Sequence, residues 1–134
     1  MTDLQERSRG KTADLDAKYR ERDGAYFFTG VQALVRVPVD QPHEYAVYHT
    51  FVIQAEARDD LRAYLAAQGI GTVIHYPAPI HVQRAAAGLG YQPGDFPVTM
   101  AQAQRILSLP VYPELTEAQR ATVVAQVRSF YDRD

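Results

Sequence analysis

Gly69-Ile70-Gly71-Thr72-Val73-Ile74-His75-Tyr76-Pro77-Ala78-Pro79-Ile80-His81-Val82-Gln83 is the stretch on which the architecture of this 134-residue chain turns. Two glycines close the helical pattern before it, a β-branched run follows, and two prolines then bar a return to sheet or helix. The chain must leave its strand at His75. The imidazole of His75 and the phenol of Tyr76 therefore stand at a strand end, on rigid extended backbone from which a ligand can be reached.

Immediately upstream, residues 57–68 predict a helix. Ala57, Leu61, Tyr64 and Leu65 recur on one side, Arg58, Asp59, Asp60 and Arg62 on the wet side, and Gly69 supplies the stop. Before it, residues 45–54 read as the strongest strand, apolar on both faces and so central in its sheet. Strand, helix and the strand at residues 71–75 make a β-α-β unit with parallel strands, or a split version with another strand between them. Residues 33–39 alternate but contain Pro38, which has no amide hydrogen to give, so they predict an edge strand.

Downstream, residues 84–88 read as a short helical turn and residues 89–97 as an irregular loop. Residues 98–107 predict a helix with Met100, Ala103 and Leu107 inward, and Pro110 and Pro113 then force an extended passage. A last helix opens at Thr116, which has capping-box spacing to Gln119, and buries Val123, Val124, Val127 and Phe130 or Tyr131. At the other end, residues 4–22 predict a thinly amphipathic helix, and Ala25-Tyr26-Phe27-Phe28-Thr29-Gly30 a short strand or a wedge into the core.

A chain of this length suits one domain and buries about two thirds of the surface its unfolded form exposes. Fourteen basic against sixteen acidic residues leave a net charge of −2, which gives no electrostatic footprint for nucleic acid or an anionic membrane. No apolar run approaches a membrane span, the start is too polar for a secretory signal, and the absence of cysteine fits a reducing compartment, so the expected location is the cytoplasm. Only Lys11 and Lys18 are lysines. Both sit among acidic neighbours that keep an amine protonated, and neither suits Schiff-base chemistry.

Four histidines form two pairs of equal spacing, His43 with His49 and His75 with His81. The spacing invites a metal site, but residues six apart in extended chain need not face each other, and no metal is assigned. His49, between Tyr48 and Phe51, reads as a hydrogen-bonded core residue, whereas His75 with Tyr76 reads equally as a ligand contact or a strand-terminating polar pair. Asp95, in Gly94-Asp95-Phe96-Pro97, suits a turn better than acid–base work. No serine-hydrolase elbow, phosphate loop or helical zinc motif occurs.

Val47-Tyr48-His49-Thr50-Phe51-Val52-Ile53, then Gly69 through Gln83, then Gly94-Asp95-Phe96-Pro97-Val98 with Ala103, resembles in order and spacing the carboxy-terminal domain of the DegT/StrS family of pyridoxal-phosphate-dependent sugar-nucleotide aminotransferases. Ile106-Leu107-Ser108-Leu109-Pro110-Val111-Tyr112-Pro113 and Leu115-Thr116 through Gln119 extend the resemblance to the end of the chain. It implies an α/β (α+β-like) fold: a small mixed or antiparallel sheet of three to four strands with helices packed against it, as in the small domain of fold-type I aminotransferases. Residues 1–24 would be a remnant of the helix between domains, with Tyr19-Arg20 at its tail, and residues 25–134 the small domain.

The resemblance further implies transfer of an amino group from an amino-acid donor to a nucleotide-linked keto sugar, in amino-sugar biosynthesis. In the family, the Schiff-base lysine and the pyridoxal phosphate site belong to a large domain, so no cofactor is expected on this chain alone. His75, Tyr76 and His81 are carried over as substrate-binding residues, with Pro77 and Pro79 shaping the same wall. The expected partner is a second copy or a missing large domain. As a fragment the chain is expected to be inactive alone; the competing expectation is a stand-alone interaction or oligomerisation module derived from that domain.

Overall fold

The computed structural model describes residues 34–40, 43 and 46–132. The readings of residues 4–22 and 25–30 lie outside the described residues. Among these residues the sheet has three antiparallel strands in the order β1 (Val35–Arg36), β2 (Phe51–Ala55), β3 (Ile106–Leu109). Val35 faces Ala55 across the first pair, and Ile53 faces Leu107 across the second. The three-stranded sheet with helices against it is the predicted class, with β2 central and β1 at an edge as Pro38 requires.

On the outer side of β3, Val73 donates to the Ser108 carbonyl at 3.2 Å and accepts from the Ser108 amide at 2.7 Å in an antiparallel bridge. β2 and Val73 each run antiparallel to β3, so they are parallel to one another with β3 between them. Of the two crossover geometries, the split one forms. The helix of that crossover, α1 (Arg58–Ala67), ends at Gly69, whose φ of 76° is the left-handed value that lets the chain turn back.

Alternation along β2 buries Phe51, Ile53 and Ala55 on one face. Leu61 and Leu65 of α1 and Val123, Val124 and Val127 of α3 (Glu117–Tyr131) join the same core. Ile53, Leu61, Leu65, Leu107 and Val127 are the largest side chains withdrawn completely from water, each stabilising the fold by about 1.5–3 kcal/mol through burial. Thr116 caps α3, accepting from the Gln119 amide at 3.2 Å, while the Gln119 side chain accepts from the Thr116 amide at 2.9 Å. This is the predicted capping box.

Four expectations need correction. The helix read over residues 98–107 stops early: α2 spans Pro97–Arg105, and at Ile106 the backbone becomes extended and enters β3, so Leu107 is a strand residue. The ladder to β2 supplies these residues with hydrogen-bond partners that no local signal announced. Residues 46–50 lie outside the long strand expected there, because Tyr48 adopts a φ of 43° and breaks the extended run.

Arg58 does not face water. It is 9% exposed and its Nη1 donates to the carbonyls of Ala103 (3.2 Å) and Ile106 (2.9 Å), satisfying oxygens released where α2 gives way to β3. Ala57, expected inward, is exposed at the head of α1 with a φ of 48°.

Candidate functional site

His75 stands where the Val73 bridge ends, exposed, with its Nδ1 2.8 Å from the Ser108 hydroxyl. Ser108 is buried at 6% exposure and is tied by its backbone to Val73, so the ring is anchored to the sheet rather than to a loop. Around it lies a shallow cleft of about 160 Å³, which His49, Thr50, Thr72, His75, Ser108 and Pro110 help to line. Among the described residues no carboxylate, lysine or arginine borders it. Its polar groups are imidazoles and hydroxyls, which suit the oxygens of a polar ligand.

His49 reaches this cleft against expectation. The left-handed turn at Tyr48 sends the tyrosine ring inward against Phe51 (centroids 5.5 Å apart), where its hydroxyl donates to Asp40 at 2.7 Å. The next side chain, His49, is thereby left outside and exposed. The sequence reading placed His49 in the core and did not single out Ser108. The one signal for Ser108 was a hydroxyl residue inside the apolar run Ile106-Leu107-Ser108-Leu109.

Tyr76 is 73% exposed, its ring edge-on to His75 at 5.7 Å. His81 goes elsewhere. It lies in a short 3-10 turn, Ile80–Val82, tilted against Phe96 with ring centroids 4.7 Å apart, and Phe96 in turn meets Tyr91. Its Nε2 is buried with no hydrogen-bond partner among the described residues. The structure thus brings His75 and Tyr76 together and places His81 in a separate ring cluster, off the cleft lining.

Asp95 is a turn residue. Its carboxylate accepts from the Gln92 amide at 2.8 Å in a capping box around the 3-10 turn Pro93–Asp95. A second depression of about 320 Å³ at the head of α1 holds Arg58 and Arg105. Both guanidiniums already meet carboxylates there, those of Asp59 at 2.7 Å and Glu56 at 2.9 Å. Among the described residues no three His, Asp or Glu side chains gather to hold a metal ion, and no helix is long and apolar enough to cross a membrane.

The matching family profile is that of the DegT/DnrJ/EryC1/StrS aminotransferases, over residues 12–128. The chain belongs to this family. Among its relatives, the dTDP-3-amino-3,4,6-trideoxy-alpha-D-glucose transaminase of Streptomyces venezuelae is 37% identical over 81% of this chain and 29% of its own. A pleiotropic regulatory protein of Geobacillus stearothermophilus is 43% identical over 73% of this chain and 26% of its own. The crystal structure of S. venezuelae DesV superposes with a TM-score of 0.78 at 34% identity, covering 94% of this chain and 32% of that one. The chain spans between about a quarter and a third of the length of the relatives it matches.

Aminotransferases of this family depend on pyridoxal phosphate, and the residues described here do not fit that group. They include no lysine to condense with its aldehyde, and none of them brings a lysine or arginine to the cleft to meet its phosphate.

Proposed function

We propose that this chain is the substrate-closing small domain of an aminotransferase that acts on nucleotide-linked keto sugars in the cytoplasm. The cofactor sits on polypeptide belonging to a large domain, and the amino group comes from an amino-acid donor. Residues 25–134 form the small domain and residues 1–24 the end of the helix that leads into it. His75 and Tyr76 contact the sugar nucleotide, while His81, carried over with them, stands apart in a ring cluster with Phe96 and Tyr91.

The observation that carries this reading is His75 itself, an exposed imidazole braced at 2.8 Å by a buried serine and opening on a cleft of hydroxyls. It lies within the family match. Ring-bearing and aliphatic side chains in the segment that follows His75 are left bare, with Tyr76 at 73%, Ile80 at 80% and Leu89 at 68% exposure. Apolar surface of that kind marks a docking face, and the occupant proposed is the large domain or a second copy.

Two measurements test the reading. Incubated with pyridoxal phosphate and reduced with borohydride, the chain alone remains unmodified, whereas a reduced adduct on Lys11 or Lys18 overturns the division of labour. Titration with a dTDP-sugar and a UDP-sugar, followed on ring resonances, shifts His75 and Tyr76 and leaves His43 in place. Rings of His75 and Tyr76 that stay silent up to the solubility limit would sink their assignment as substrate contacts.

A further inference from the structure

We propose that Ser108 is a positioning residue for His75: its hydroxyl donates to Nδ1 and holds the neutral imidazole as the Nε2–H tautomer, turning a hydrogen-bond donor toward the cleft. This deepens the reading of His75 as a ligand contact and rests on it for its functional meaning.

The argument is one of satisfaction. A serine hydroxyl has one hydrogen to give and two lone pairs to receive with. Ser108 is buried, and His75 Nδ1, at 2.8 Å, is the one hydrogen-bond partner of its side chain among the described residues. Its own amide and carbonyl are both engaged with Val73. If Nδ1 carried the ring proton, it would donate to Oγ and leave the hydroxyl hydrogen, at a buried position, without an acceptor among the described residues. Burial penalises such an orphan. With the hydroxyl as donor, Nδ1 accepts and the ring proton must be on Nε2. Among the described residues no carboxylate lines the cleft to draw that proton back the other way.

The consequence for chemistry is specific. Held this way, neutral His75 offers the ligand a donor at Nε2 and no lone pair there, so it clamps an acceptor oxygen and does not take a proton through that atom. Tyr76, edge-on at 5.7 Å, flanks the same ring.

Long-range proton–nitrogen correlation spectra of the 15N-labelled full chain, recorded without ligand at a pH well above the ordinary histidine pKa of about 6.5, read the tautomer directly. The expected result is protonated Nε2 and bare Nδ1 at His75. In Ser108→Ala a second, Nδ1–H population appears and the ring couplings average between rotamers, and Ser108→Thr, which keeps a hydroxyl, restores the single form. A dominant Nδ1–H form in the unaltered chain overturns the proposal, as does a His75 spectrum that Ser108→Ala leaves unchanged while the amide signals of Val73 and Leu109 report intact pairing. The first of these outcomes needs no variant. Because no ligand is added, the result is separate from the sugar-nucleotide titration: silent rings there sink the substrate assignment and leave the tautomer as measured.

Discussion

Tyr131 is half-buried at the end of α3 and donates its phenol hydrogen to the Glu56 carbonyl at 2.6 Å. Desolvation first, and the nearby Glu56 charge second, push its pKa from the ordinary 10.0 up to about 12. The folded chain therefore holds this proton over a pH range in which the unfolded chain has lost it. The resulting stabilisation is full below pH 10.0 and drains away as pH rises through about 12. Titration by tyrosinate absorbance is expected to show one late-ionising tyrosine, absent in Tyr131→Phe. The same variant loses about 0.5–1.5 kcal/mol of stability at neutral pH through the missing hydrogen bond. An alkaline titration identical in the two proteins would refute the assignment. Residue by residue, the sequence was least reliable where a single backbone angle redirected a side chain: the left-handed turn at Tyr48 left His49, expected in the core, exposed.

The junction of α2 and β3 shows how elements depend on one another. Propensity alone carries a helical pattern through Leu107, yet the chain becomes extended at Ile106 because β2 offers it a ladder and Arg58 takes the carbonyls of Ala103 and Ile106. Arg58→Ala is expected to destabilise the chain by about 2–4 kcal/mol, since it leaves two carbonyls unserved at a buried site. Urea denaturation would show a lower midpoint with an unchanged slope. Arg58→Lys recovers part of the loss, because one ammonium can reach either carbonyl but lacks the planar spread of the guanidinium. A midpoint unmoved in Arg58→Ala would mean that this junction is held by the ladder alone. By contrast, the start of α3 was legible from four residues: Thr116 and Gln119 satisfy each other's amides within one turn, so no distant partner enters.

Taken whole, the molecule divides into a core beneath the sheet and an arm, residues 76–98, in which only Ala86 is buried. The two should respond differently to substitution. Leu107→Ala, at a site with no exposure, is expected to cost about 2–5 kcal/mol. Ile80→Glu and Leu89→Glu, at 80% and 68% exposure, should each fall within about 0.5 kcal/mol of the parent. Thermal or urea unfolding of the three variants checks this, and a large loss from either glutamate would show that the arm is core rather than docking surface. The class of fold was legible in the sequence through its resemblance to the family, whereas the central place of β2, the edge place of β1, the stop of α1 at Gly69 and the cap of α3 were determined by the residues alone. Each follows from contacts within a few residues: apolar periodicity, a proline without an amide hydrogen, a glycine free to turn left-handed, a hydroxyl three positions from an amide. The tertiary structure decided the rest: the split crossover around β3, the burial of Arg58, the exposure of His49, the removal of His81 from the cleft and the hold of Ser108 on His75. Those depend on partners 33 to 48 residues apart where bonds were measured. A pattern of nearest neighbours carries no record of which distant carbonyl or hydroxyl will arrive.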